Sequence, residues 1–449
     1  MTPPAGSVRN HLPKIPAAFR AFAAGHRTSR AARDLTCVLV GRGTAIAANA
    51  ALMLILAQRL DLGAYGLLVT IISAQLLLSR VLLLGVETGI VRLRTVLVTE
   101  SAPDRVTQAG LLVILYSSIA LTLTLSVALV LLPAIRSAPW LIVLSSIVVG
   151  AVGTAFVDYT YAFWLSRLSY RTAALTQGSA SIGRLFLTLL ALHIAGPALG
   201  PVAASYTGAS LVFGVALAAA VTRVIGFSGD RSLIPFLVRY SLWACIANVI
   251  VILGLYEGTF LLTALERQAA TGAFGLALTF SLGFFAVYNG YSDYLLPRAA
   301  RVESRTELLM FVRGAYGAAF LLILCSSILC WGIGRFLAHV LKPEMLDVIP
   351  VFYVLALSMI VLFLQAPLEA VTHYALRPQL VTLAWAVRAL SIALLALVWA
   401  PDQGAPGMAY AQLGGSVTGL AVLSFALVTA LALDRRPTSP TSLVHPPNI

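Results

Sequence analysis

The chain has 449 residues, 59% of them hydrophobic and 10% charged, with a mean hydropathy of +0.93, which removes it from the composition range of soluble globular proteins. At about 20 apolar residues per membrane-spanning helix, roughly twelve spans consume nearly the whole length and leave no room for a sizeable extramembrane domain. The formal net charge of +13 is dealt out a few residues per loop. It is not gathered with aromatics on one soluble surface, which excludes nucleic acid as a partner.

Residues 1–34 carry Arg20, Arg27, Arg30 and Arg33 just before the first apolar run and lack the short apolar core and cleavage site of a signal peptide. They read as a cytoplasmic basic segment that anchors topology and attracts anionic membrane lipids. Apolar runs then predict spans near 35–58, 64–86, 107–132, 140–165, 172–194 and 201–221. A polar stretch at 222–233, with Gly226, Gly229, Asp230 and Arg231, reads as a cytoplasmic linker. Six further spans follow near 234–262, 271–296, 308–331, 346–371, 379–399 and 408–432, and the Pro-, Ser- and Thr-rich residues 433–449 read as a disordered cytoplasmic tail.

If the N-terminus is cytoplasmic, 21 of the Lys and Arg residues fall on the inner side and only five, Arg59, Arg136, Arg267, Arg335 and Lys342, on the outer side. That asymmetry predicts both termini inside and an even number of spans.

Gly63-Ala-Tyr-Gly-Leu-Leu-Val-Thr70 recurs 209 positions later (272 − 63) as Gly272-Ala-Phe-Gly-Leu-Ala-Leu-Thr279. The offset covers six helices, so the copies have the same orientation and the repeat is parallel. The expected fold is an all-α integral membrane protein of about twelve transmembrane helices, in two parallel-related six-helix lobes around a central cavity: 35–221 and 234–432. Two glycines three apart at a helix start predict a tight backbone approach, with Tyr65 and Phe274 as interfacial anchors. A looser correspondence links Arg184 before Leu189-Leu-Ala-Leu192 in span 5 with Arg388 before Leu394-Leu-Ala-Leu397 in span 11.

Four arginines belong to no loop: Arg42, Arg80, Arg184 and Arg388. A charge at bilayer depth costs at least about 2.5–3.5 kcal/mol and normally faces a cavity or a partner. These four are the candidate substrate-binding residues, Arg42 and Arg80 being close enough to helix ends to snorkel. Their excess favours an anionic, phosphate-bearing substrate. Asp158 is a candidate ion-pair partner for one of them, and Glu257 a candidate coupling-ion site or gate partner. Asp293 and Glu369 lie near inner helix ends and read as solvated, His193 and His373 as interfacial. Cys37, Cys245, Cys325 and Cys330 all fall within spans and read as packing residues, with no disulfide framework and no metal-ligand spacing. No Gly-rich phosphate cradle, paired carboxylates or nucleophile–base grouping marks a catalytic site. No cofactor is expected.

The stretch Leu52–Arg94, with Ala57-Gln-Arg-Leu-Asp-Leu-Gly-Ala-Tyr-Gly66 and Leu84-Gly-Val-Glu-Thr-Gly-Ile-Val-Arg92, resembles the N-terminal signature of bacterial polysaccharide flippases. These belong to the multidrug/oligosaccharidyl-lipid/polysaccharide exporter superfamily. Gly272–Thr279, Pro297-Arg298 and Gly404-Ala-Pro-Gly-Met-Ala409 extend the resemblance. It implies two lobes in a V shape and alternating access. The substrate it implies is a polyprenyl-pyrophosphate-linked oligosaccharide moved outward across the inner membrane, with glycosyltransferases and a polysaccharide polymerase as partners. Competing readings are a cation-coupled multidrug antiporter of the same fold, a membrane-embedded polysaccharide polymerase or ligase, and a sugar transporter of the major facilitator class. The outer gaps are short for an acceptor-binding polymerase, and the basic Gly-rich loop expected of the major facilitator class is not visible in Val86–Arg105.

Overall fold

A computed structural model of the protein describes residues 37, 40–96, 103–131, 138–226, 231–299, 305–374 and 379–433. The basic segment 1–34, residues 227–230 of the linker and residues 434–449 of the tail lie outside the described residues, as do the side chains of Asp293 and His373. Among the described residues the chain is helical with no strand, and twelve helices are long and apolar enough to cross a membrane. The protein is a multi-pass, all-α membrane protein.

The helices are α1 (Val40–Arg59), α2 (Leu62–Leu83), α3 (Val86–Val96), α4 (Pro103–Leu131), α5 (Ala138–Ser166), α6 (Tyr170–Ala195) and α7 (Leu199–Ile225) in the first half. The second half holds α8 (Ile234–Ala264), α9 (Gln268–Ala299), α10 (Arg305–Val340), α11 (Val348–Tyr374), α12 (Gln379–Gln403) and α13 (Ala405–Leu433). Every helix but α3 is a span. Consecutive spans alternate in direction, so the Leu60–Asp61 turn, the Leu265–Arg267 turn and Gly404 share one membrane face, here termed the turn face. α1 begins and α13 ends on the opposite, or termini, face.

Several helices run past the apolar runs that predict them. α7 continues to Ile225, into the stretch read as linker, and α10 spans 36 residues because Arg335 and His339 extend the helix instead of ending it. At about 1.5 Å per residue α10 is some 54 Å long against a hydrocarbon core of about 30 Å, so it tilts or projects. Leu309, Phe320, Leu324, Ile328 and Trp331 of α10 are all exposed, as expected of a helix facing lipid.

Helix pairings recur in the two halves, among them α2–α5 and α9–α11, α5–α7 and α11–α13, α6–α7 and α12–α13, and α4–α5 and α10–α11. The halves meet chiefly through α2, which packs on both α8 and α9. α2 starts with Asp61 as its N-cap, whose carboxylate accepts the Ala64 N–H at 2.9 Å. It stops at Leu84 and Gly85, both left-handed at φ 47° and 73°, and α3 continues beyond this break.

The two copies of the sequence repeat lie on one another. A Cβ placed on Gly66 would come within 2.0 Å of the Gln268 carbonyl oxygen, and one on Gly272 within 2.7 Å of the Leu62 carbonyl oxygen. Only glycines permit α2 and α9 to cross this closely. The expected close approach is therefore present, but Tyr65 and Phe274 are not interfacial anchors. Both are fully buried, Tyr65 against Gly272 at the crossing and Phe274 against Gly258 of α8, so neighbouring helices cover both rings. Gln58 at the end of α1 donates to the Val340 carbonyl at 3.0 Å, a second link between the halves on the turn face.

Candidate functional site

Between the halves lies a cavity of about 130 Å³ lined by α1, α2, α6, α7, α8 and α9. Its polar lining includes Asn49, Ser73, Ser181, Arg184, Tyr206 and Thr279, and Arg184 is its one charged residue. The Arg184 Nη1 donates to the Tyr206 hydroxyl at 2.9 Å, and the guanidinium stands 5.0 Å from the centre of the Tyr206 ring. Its Nε has no hydrogen-bond partner. An arginine held by a phenol and a ring face, with no carboxylate beside it, has donors to spare, which is an anion-receptive arrangement. The cavity is no larger than the roughly 150 Å³ that accommodates one benzene, so an oligosaccharide headgroup enters only if the halves separate.

Arg80 lies elsewhere. At the termini-face end of α2 its Nη2 sits 3.1 Å from Asp158 of α5, and its Nη1 3.9 Å from Glu87 of α3. Asn248 of α8 donates to the same Glu87 oxygen at 2.9 Å, tying this cluster to the second half. Asp158 thus pairs with an arginine as expected. With two carboxylates against one guanidinium, Arg80 offers no net positive charge to a substrate. Gly85 and Gly89 press onto Ser241 in the same region: a Cβ on Gly85 would lie 2.3 Å from the Ser241 carbonyl oxygen. The contact between the halves on the termini face therefore combines a hydrogen bond to a charged group with close steric packing.

Arg388 departs furthest from expectation. It lies on α12, the counterpart of α6, but five residues short of the 209-residue repeat offset from Arg184 (388 − 184 = 204), and it is fully buried inside the second half and does not line the cavity between the halves. The reason is the partner helix. Gly415 and Gly419 of α13 lie against the backbone and stem of Arg388, so α13 closes over it, whereas α7 faces Arg184 with the phenol of Tyr206. Arg388 Nε donates to Ser416 Oγ at 3.1 Å and its guanidinium lies 4.9 Å from the Trp385 ring centre, while both Nη atoms lack partners. Glu257 of α8 is buried and faces it electrostatically, one carboxylate oxygen without a hydrogen bond and no ion pair closed between the two.

Glu369 corrects a second expectation. It is buried, not solvated, and accepts hydrogen bonds from Tyr288 Oη at 2.6 Å, Gln365 Nε2 at 2.8 Å and Trp385 Nε1 at 3.0 Å. α11 continues to Tyr374, so Glu369 is more than a turn from the helix end, and α9 and α12 cover it. Trp385 touches both groups, making a polar interior within the second half of Arg388, Glu257 and Glu369. Sequence reasoning missed Glu369 as an interior group, and it missed Glu87 as the second partner of Arg80. The Leu84–Gly85 break between them, which turns α3 away from α2, is what brings Glu87 back beside Arg80.

Arg42, on α1, is half-buried and is not among the residues lining the central cavity. The four arginines are thus not assembled into one site. Cys245 and Cys330 are buried, Cys37 is half-buried and Cys325 is exposed, all four as free thiols. Among the described residues no group of three or more His, Cys, Asp or Glu side chains is placed to hold a metal.

No family model and no curated protein sequence matches this chain. Solved structures do. A multidrug resistance MATE family transporter of the MOP superfamily, in its inward-facing conformation, is 14% identical over 90% of this chain and 96% of its own, with a TM-score of 0.63. A MOP superfamily transporter from Pyrococcus furiosus, described as having a binding pocket of reverse polarity, is 15% identical over 90% and 96%, with a TM-score of 0.56. Lipid II flippase MurJ, in an inward closed conformation, is 13% identical over 83% and 87%, also with a TM-score of 0.56. The fold is therefore that of MOP superfamily transporters.

Proposed function

We propose that this protein flips a polyprenyl-pyrophosphate-linked oligosaccharide across the cytoplasmic membrane by alternating access, for cell-surface or exopolysaccharide biosynthesis. Both termini lie in the cytoplasm, and the lobes are 35–221 and 234–432. The observation that carries this reading is the charge of the central cavity: Arg184 enters it with no carboxylate among the lining residues. A pyrophosphate drawn to Arg184 meets donors aimed at an anion, while the polyprenyl chain stays in lipid. A lipid II flippase and a MOP transporter with a pocket of reverse polarity share the fold, so it accommodates both a lipid-linked cargo and a change of pocket charge.

The test is the inventory of lipid-linked glycans in a deletion strain complemented by variants. Wild type restores export, and Arg184→Gln lowers it about tenfold or more, from the roughly 1.5–3 kcal/mol carried by a hydrogen bond to a charged group. Arg184→Lys retains part of it. Full export by an Arg184→Gln protein that inserts normally refutes the assignment.

A cation-coupled multidrug antiporter is the second reading, favoured by the buried carboxylates Glu257 and Glu369 in the second half and by the MATE family transporters that share the fold. Unchanged glycans together with altered drug resistance in the deletion strain select that reading.

A further inference from the structure

Separate from the central cavity, a cleft of about 410 Å³ lies between α1 and α6. Its floor is made by small residues. Gly41 meets Ala174 so closely that a Cβ there would stand 2.5 Å from the alanine methyl, and Gly178 faces Thr44. Val40, Leu175 and Ile182 stand exposed along its walls. The Thr44 hydroxyl is turned back onto the Val40 carbonyl at 2.8 Å, which leaves its methyl group to the cleft. Arg171, exposed at the termini-face end of α6, stands at the mouth, and among the described residues it makes no ion pair.

We infer that this cleft is a binding site for one acyl chain of an anionic phospholipid, whose phosphate sits on Arg171. Three observations converge. From Arg171 to Ile182 the cleft follows eleven residues of α6, about 16 Å of helix, which is about half of a 30 Å hydrocarbon core and so the depth of a single leaflet. By volume, if about 150 Å³ of apolar cavity holds the six carbons of benzene, 410 Å³ holds roughly sixteen, the length of one chain. The one charge at the cleft is positive and lies at its polar end, where the phosphate of a lipid in that leaflet is found. The inference does not depend on what the central cavity transports.

Native mass spectrometry of the full-length protein in detergent tests this with phosphatidylglycerol and phosphatidylcholine of matched chain length. Wild type is expected to retain phosphatidylglycerol over phosphatidylcholine. Arg171→Gln should lower that preference about fivefold, from the roughly 1 kcal/mol of a basic residue near an anionic headgroup. Gly178→Leu should remove retention of both lipids, because its side chain occupies the cleft; the nearest atom to a Cβ there is 4.0 Å away, so the fold tolerates it. Unfolding temperatures confirm that both variants are folded. Equal retention of the two lipids by wild type, or retention unaffected by Gly178→Leu, overturns the inference. Preferential displacement of phosphatidylglycerol by polyprenyl phosphate also overturns it, assigning the cleft to a carrier lipid instead.

Discussion

The crossing of α2 and α9 makes a graded prediction. An alanine at Gly66 puts a methyl group 2.0 Å from the Gln268 carbonyl oxygen, whereas ordinary contact begins near 3.4 Å, so the helices must separate by about 1.4 Å (3.4 − 2.0). The obstacle is backbone, which cannot rotate aside. Overpacking of this kind costs about 1–3 kcal/mol, and the helix propensity gained by replacing glycine returns at most about 1 kcal/mol. Gly66→Ala is therefore expected to destabilise by about 1–2 kcal/mol. Gly272→Ala, with its nearest obstacle at 2.7 Å, should cost less. Gly63→Ala meets only side-chain atoms, at 3.2 Å and beyond, and should stay within about 0.5 kcal/mol of wild type. Gly317→Ala, on α10 with nothing within 4 Å, is the control and should be neutral or stabilising. Unfolding of the purified proteins in detergent gives the order. A cysteine pair at Gln58 and Val340 reports whether the turn face has parted, through a lower cross-linking yield in the Gly66→Ala background. If Gly66→Ala is as stable as Gly317→Ala and cross-links as wild type does, the glycine crossing does not hold the halves together.

Other expectations concern polar clusters. Arg80→Met leaves Asp158 and Glu87 as adjacent unpaired carboxylates and should cost about 1–3 kcal/mol, below the range for fully buried pairs because these side chains keep 15–24% exposure. Arg80→Met with Asp158→Leu should recover part of the loss, and a double-mutant cycle by unfolding measures the coupling. Asp61→Ala removes the cap of α2 and should cost about 0.5–2 kcal/mol in the same assay. At Glu369, Gln is expected to cost about 1 kcal/mol, since the Tyr288 hydroxyl can turn to accept from the new amide. Leu strands three buried donors and should cost about 3 kcal/mol or more. Equal losses for the two variants would refute that account of the network.

The architecture was legible because each span must supply its own backbone partners within about 20 apolar residues, and a repeat with an even helix offset has only one orientation. The pairing of Asp158 was legible too, since a carboxylate at that depth needs a cation. What sequence could not distinguish was the surroundings of Arg184 and Arg388. Their local patterns match, and the difference lies in the helix packed opposite, Tyr206 against one and Gly415 and Gly419 against the other. Depth along a helix misled for Tyr65, Phe274 and Glu369. It measures distance from the membrane face and is blind to neighbouring helices that cover a residue from the side. The cleft between α1 and α6 has no sequence signature at all, being the space that Thr44 and Gly178 leave unfilled beside the Gly41–Ala174 contact.

A sequence repeat that rests on its own second copy is the arrangement of a symmetric dimer, in which one patch meets itself across an axis. Joining the copies in one polypeptide replaces association by a tether, so the crossing no longer depends on protein concentration. It also releases the two patches from having to be identical. Gly66 lies against a main-chain carbonyl, while Gly275, at the matching position of the repeat, lies against the Val69 side chain. The same freedom let the arginine of α6 open onto the space between the halves while that of α12, five residues out of register with it, was enclosed. A half-length chain ending after α7 would regain the old constraint: it could cross only with a second copy of Gly63–Gly66, and would be monomeric when dilute.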